Sequence, residues 1–284
     1  MPFVVGVNRS GTTLLRMMLD SHPQLAIPPE THFVPELIAL CRSGGASSRD
    51  LARAVAQGRE WGDFGLTEQQ LETAFDLLPK RDPGAVLRAF YALCADRAGK
   101  PRAGDKTPAY GRAMLEIKAA LPEALFVHVI RDGRDVALSI RDRAQGDRPL
   151  GRIARRWRRR ILGAREQAQG LGRSYLEVRY ESLVREPEPV LRGLCEELQL
   201  PWEAAMLSYT GRAASRLREM DRDLPARGER NDLSAELRMR THARVLQPPD
   251  PSRIGRWRRE MTAAERREFE NVAGKLLAEL GYEL

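Results

Sequence analysis

Cysteine is scarce in this chain. Only three occur among 284 residues, Cys41, Cys94 and Cys195, an odd number at spacings that fit neither a metal site nor a disulfide framework. They read as small core residues in a reducing compartment, and a cytoplasmic location is expected. Long apolar runs are missing too. Nothing approaches the ~18 apolar residues of a membrane-crossing helix, and the first apolar stretch starts at Phe3, leaving no room for the charged and apolar regions of an export signal. A soluble protein without stable membrane insertion is expected. No His/Cys/Asp cluster has ligand spacing, so no metal is expected. No compositional break marks a linker, and one α/β domain over residues 1–284, long enough to bury a sizeable core, is expected.

What the chain has in excess is positive charge. The formal net charge is +8, supplied mostly by arginine, so a polyanionic partner has to be weighed. The basic residues are spread along the chain, however, and a nucleotide with two phosphate groups would itself require several. A non-catalytic nucleic-acid binder would leave the motifs below without a purpose, and no nucleic-acid partner is expected.

The most informative stretch is the amino terminus. Phe3, Val4, Val5, Gly6 and Val7 predict a buried parallel strand, and Leu14, Leu15, Met18 and Leu19 recur at helical spacing. Between them lies Asn8-Arg9-Ser10-Gly11-Thr12-Thr13. A small hydroxyl-rich loop at a helix amino terminus offers backbone N–H groups and the positive end of the helix dipole to a phosphate. Gly6 and Gly11 have the spacing of a nucleoside-triphosphatase loop, but Thr12 stands where that loop carries its lysine. The cation sits three places upstream, at Arg9.

Further along, Leu25-Ala26-Ile27 predicts a short second strand, and Pro28 and Pro29 stiffen the approach to Glu30-Thr31. A carboxylate just past a strand end is a suitable general base; an ordinary solvated glutamate is the alternative. Residues 34 to 98 read as helical. Lys106-Thr107-Pro108 follows a short strand. Leu125 to Ile130 is an apolar strand ending in Arg131-Asp132-Gly133-Arg134-Asp135, with Asp132 near the cap of the next helix and Ser139 two turns along it. Arg131 and Ser139 are spaced to converge on a second phosphate. His128, in mid-strand, reads as a hydrogen-bonded core residue.

These elements together resemble the sulfotransferases that use 3′-phosphoadenosine 5′-phosphosulfate (PAPS), in particular the tyrosylprotein and bacterial branch. The resemblance rests on R-S-G-T-T after the first strand, H-P-x(6)-E-T, K-T-P, I-R-D-G-R-D-x-x-x-S and V-R-Y-E-S-L. It implies a P-loop-like fold with a central parallel β-sheet flanked by helices. It further implies Glu30 as base toward the acceptor hydroxyl, with Arg9 and Lys106 on the transferred group. Arg9, Ser10, Gly11, Thr12 and Thr13 would hold the 5′-phosphosulfate, Arg131, Ser139 and Arg256 the 3′-phosphate, and Tyr180 would lie against the nucleotide. Thr241, fifteen places before Arg256, would approach the sulfate. Ser182 replaces the aspartate usual in the fifth motif. The implied product is 3′,5′-ADP, and the implied acceptor a small molecule, sugar or peptide. A P-loop kinase or nucleoside triphosphatase is the competing reading.

Two segments stay outside this scheme. Arg152 to Leu162 carries six arginines, with Ile153, Trp157, Ile161 and Ala164 on one helical face, which predicts a packed helix with a solvated basic side; an anionic acceptor or membrane surface is the alternative. Arg212 to Arg244 lacks clean periodicity and predicts an irregular or flexible segment able to act as a lid. Thr262 to Glu265 forms a capping box for a closing helix.

Overall fold

The structure, a computed structural model, describes residues 1–142, 149–226 and 232–284. Its centre is a sheet of four strands, β1 (Pro2–Gly6), β4 (Asp105–Lys106), β5 (Leu125–Ile130) and β6 (Tyr175–Arg179), all parallel and ordered β4-β1-β5-β6. Strand alternation decides what each face buries. Phe3, Val5 and Phe126 meet Phe90, Tyr91 and Leu37 from the helices of residues 34–121. Val4, Val127 and Val129 meet Leu15, Leu191 and Leu217 on the other side. Both faces are therefore covered, which is why β1 and β5 read as unbroken apolar runs.

The expected second strand exists but is not a member of this sheet. β2 (Leu25–Ala26) pairs in parallel with β3 (Arg102–Ala103) as a separate ribbon, Leu25 opposite Arg102. β1 has β4 on one side and β5 on the other, so chain connections run in opposite directions from it. Such a switch point opens a crevice beyond the carboxyl ends of the strands. A third apolar cluster, with Val7, Ile130, Trp157, Trp257 and Phe269, closes the sheet on that side.

The region read as irregular is different in kind. Among its described residues, Thr210–Arg218 and Ala235–His242 are helices, and residues 227–231 lie outside the described part. These helices are held by ion pairs to distant residues in addition to a short apolar contact, Ala213 and Leu217 of the first. Arg238 is bound to the buried Asp63 through both guanidinium nitrogens. Arg216 reaches Asp20 at 2.9 Å. Just before these helices, Ala204–Met206 is a single 3₁₀ turn.

Candidate active site

The loop between β1 and the Thr12–Asp20 helix turns through two residues with positive φ, Arg9 at 79° and Gly11 at 95°. Ser10 N–H donates to the carbonyl of Val7 at 3.1 Å, closing the turn. Glycine is required at position 11 for a second reason: a Cβ there would lie 2.3 Å from Cδ2 of Tyr180. A non-glycine residue at positive φ, such as Arg9, costs ~1–3 kcal/mol unless its surroundings fix it, and such residues concentrate at functional sites. Here Arg131 Nη1 holds the carbonyl of Arg9 at 3.1 Å, and Arg9 Nε reaches Ser139 Oγ at 3.3 Å.

Arg131 therefore joins the amino-terminal loop to the end of β5. Its guanidinium lies over the Tyr180 ring, 4.2 Å from the centroid, and its Nη2 donates to the carbonyl of Arg253 at 2.9 Å. Behind it, Trp157 Nε1–H donates to the carbonyl of Arg131 at 3.2 Å. Two buried polar atoms in this neighbourhood have no partner among the described residues, Ser10 Oγ and Arg131 Nε. Buried donors left unsatisfied are uncommon and costly, and both suit an anionic group bound at the loop.

The two motifs line one cavity of about 300 Å³. Arg9, Gly11, Thr12 and Thr13 form one side, Arg131, Ser139 and Tyr180 another, and Thr241 a third. Ser10 lies buried beneath the loop rather than on the wall. Arg256 is also off the wall: Glu260 and Asp142 occupy its guanidinium, with Nη2 to Glu260 Oε2 at 2.6 Å and Nη1 to Asp142 Oδ2 at 2.9 Å. Those contacts, Glu260 foremost, hold it protonated beyond its ordinary range. Arg253, Arg244, His242 and Tyr209 line the cavity without having been singled out in the sequence. They come from the last third of the chain, where no motif announces them.

Glu30 and Lys106 are together, though they are not part of that cavity's wall. Lys106 Nζ is hydrogen-bonded to Glu30 Oε1, and His32 Nε2 stands 3.0 Å from Glu30 Oε2. Burial opposes the ionised carboxylate, but Lys106 and then His32 outweigh it and hold Glu30 well below the usual carboxylate range. Lys106 is shifted downward, burial exceeding the attraction of Glu30. The strand end that carries the pair is rigid. Thr31 N–H donates to Thr107 Oγ1 at 3.0 Å, and Thr31 Oγ1 donates to the buried Asp105 at 2.8 Å. Tyr91 adds its hydroxyl to Asp105 at 2.9 Å. On the other flank of Glu30, Arg16 Nε and Arg216 Nη2 both donate to the carbonyl of Ile27 at 3.0 Å, while Asp20 takes the Ile27 N–H at 2.7 Å. Next to the pair, a second cavity of about 320 Å³ is lined by Thr31, His32, Phe33, Glu36, Gly58 and Arg59, among others.

One loop thus brings Arg9 and a helix amino terminus together in an arrangement suited to an anion, a neighbouring strand end holds an ionised carboxylate against a lysine, and a cavity opens beside each. A 26% identical relative, protein-tyrosine sulfotransferase 1 of Danio rerio, aligns over 99% of this chain and 72% of its own length. Among solved structures, the sulfotransferase domain of the olefin synthase of Synechococcus PCC 7002 superposes with a TM-score of 0.61 at 25% identity, over 100% of this chain and 95% of that one. A mouse sulfotransferase, SULT7A1, solved in complex with PAP, shares the fold at a TM-score of 0.51 and 14% identity, over 98% of this chain and 84% of its own. The family model described as "Sulfotransferase family" matches residues 3–204, well over half of the chain, and to that family the protein belongs.

Proposed function

We propose that the protein transfers a sulfuryl group from PAPS to a hydroxyl, or less readily an amine, of a small-molecule, sugar or peptide acceptor, releasing 3′,5′-ADP. PAPS supplies the sulfuryl group and a phosphate leaving group. The residues on the page fit such a nucleotide: the loop with the orphaned Ser10 hydroxyl suits its 5′ end, and Arg131 with Ser139 suits its 3′-phosphate. The solved relative with PAP bound supports the same donor class.

Sulfuryl transfer, like phosphoryl transfer, needs alignment of the reacting atoms and cations where the leaving oxygen gains charge. Arg9 and Lys106 supply those cations. Glu30, ionised throughout the neutral range, accepts the proton of the acceptor hydroxyl as its oxygen attacks. The cavity beside His32 then receives the acceptor. Thr241, on the wall of the nucleotide cavity, approaches the sulfate side, while Arg256 would have to leave Glu260 and Asp142 to reach a phosphate; Arg253 already faces the cavity.

The observation that carries this reading is the single cavity walled by two motifs over 100 residues apart, each supplying anion-binding groups. Calorimetry with 3′,5′-ADP against magnesium-ATP tests it, followed by incubation with PAPS and a panel of hydroxylated natural products, saccharides and tyrosyl peptides, read by the mass gain of a sulfuryl group. Tight binding of 3′,5′-ADP is the expected result. Preference for ATP would instead make the protein a P-loop kinase.

A further inference from the structure

The Leu150–Ala168 helix has two very different sides. Ile153, Trp157, Ile161 and Ala164 are buried against Phe269 and the end of β5. Facing outward are Arg152, Arg155, Arg156, Arg158 and Arg159, all exposed. None of these five has a carboxylate partner among the described residues. That is unusual for this chain, in which Arg16, Arg134, Arg141, Arg165, Arg238 and Arg256 each contact a carboxylate. The helix holds one acidic residue, Glu166, beyond the arginine row, and the carboxylate at its amino end, Glu268, accepts from Gly151 N–H. Half-buried Arg160 on the flank has its pKa pushed down to about 10, by burial first and then by Arg156, Arg112 and Arg159.

An apolar residue stands within this field. Leu162 is 39% exposed and follows Arg155, Arg158 and Arg159 by seven, four and three residues, which places it among them on the helix surface. Leu115, 42% exposed, lies by the far end of the same helix, where its backbone N–H donates to Gln167. Two of the four large apolar side chains exposed among the described residues therefore border one basic face. A charged row with an apolar residue seated in it is the composition of a protein interface, where arginine and buried apolar anchors are enriched.

We infer that this face docks an acidic helix of a partner protein, its carboxylates meeting Arg155, Arg156 and Arg159 and an apolar side chain meeting Leu162. Charge complementarity and spacing both support this occupant: Arg155 and Arg156 precede Arg159 by four and three residues and so stand ~5–6 Å from it, the spacing of carboxylates on a helix laid alongside. A lipid surface fits less well. A helix that lies in a bilayer interface buries its apolar face there, whereas here that face is taken by the core. Leu162 and Leu115, each more than half covered, have little to insert.

The proposal stands apart from the chemistry of the site, because the row points away from Trp157 and Arg131. Its test uses the full chain and a fluorescent 20-residue amphipathic helical peptide rich in glutamate and leucine, followed by anisotropy at low salt. Binding is expected, weakened at least tenfold by the charge reversal R155E/R159E, severalfold by R155Q/R159Q, and further by 0.3 M salt, which shortens the screening length to well under 10 Å. Leu162→Asp should weaken it as well. The glutamine variant, checked by thermal melting, separates loss of the face from loss of the fold. Absence of peptide binding, binding indifferent to these substitutions, or tighter arginine-dependent binding to phosphatidylglycerol vesicles or to duplex DNA would each overturn the proposal.

Discussion

The two ends of the candidate site are built from different materials. At the end of β1 the proposed anion seat is mostly backbone: a turn with Arg9 and Gly11 at positive φ, the first N–H groups of a helix, and a tyrosine ring pressed against the glycine. At the end of β4 it is side-chain charge, a lysine and a glutamate buried against each other, steadied by Thr31, Asp105 and the carbonyl of Ile27. A backbone seat is broken by shape and is indifferent to pH. A charge pair is broken by neutralisation and answers to protonation. Substitutions should therefore separate the two in kind as well as in size.

The largest effect is expected at the charge pair. Glu30→Gln keeps the shape and the hydrogen bond to Lys106 but removes the base, so kcat should fall ~10²–10⁴-fold while the affinity for 3′,5′-ADP, measured by calorimetry, stays within a factor of about three. A normal turnover would remove Glu30 from the mechanism. Lys106→Met comes next, with a loss of ~10²–10³ in kcat and a second signature in the pH profile. A carboxylate proposed as base can act only when ionised, and that of Glu30 is held low because Lys106 outweighs burial. Without the lysine the carboxyl pKa rises, so the acid limb of kcat/KM should move to higher pH; an unmoved limb would contradict the pairing.

The cradle should fail differently. Gly11→Ala drives a methyl into the Tyr180 ring at a φ that L residues avoid, with a strain of ~1–3 kcal/mol. Affinity for 3′,5′-ADP should weaken by roughly ten- to a hundredfold with no change in the pH profile. A smaller effect belongs to neither end. His128, fully buried in β5 with its Nδ1 2.6 Å from the Tyr175 hydroxyl, has its pKa pushed by burial down to about 4. Its folded-state pKa lies below the ordinary value of 6.5, so between pH 6.5 and 4 the unfolded chain binds more protons. Stability, complete above pH 6.5, should be lost by up to about 3 kcal/mol over that window. His128→Gln should flatten the fall in Tm from pH 7 to 4.5 without touching nucleotide binding.

Legibility in the sequence followed the same division between backbone pattern and distant charge. β1, β5 and the helices after them were readable because strands buried on both faces give continuous apolar runs and because a phosphate-binding turn needs glycine at a fixed place. Glu30 and Lys106 were readable through the short motifs around them, and the structure accounts for the threonine of E-T, whose hydroxyl ties the strand end to Asp105. The helices at Thr210–Arg218 and Ala235–His242 were not readable. They are fixed by Arg216 on Asp20 and Arg238 on Asp63, partners 175 residues or more away in the chain, and such pairs leave no periodicity. Arg16 leaves no sequence signal either: it is a cation inside an amphipathic helix, yet it is buried and holds the carbonyl of Ile27. His242 and Arg253 were hidden because only the folded chain brings them to the wall.

The position of the Tyr180 ring carries one more consequence. Its edge abuts Gly11 and its face supports the Arg131 guanidinium, so one inflexible aromatic ring touches both the amino-terminal loop and the arginine at the end of β5. A smaller side chain at position 180 would leave the glycine without its neighbour and the guanidinium without its platform at the same time, so two motifs far apart in the chain keep their mutual placement through a single residue.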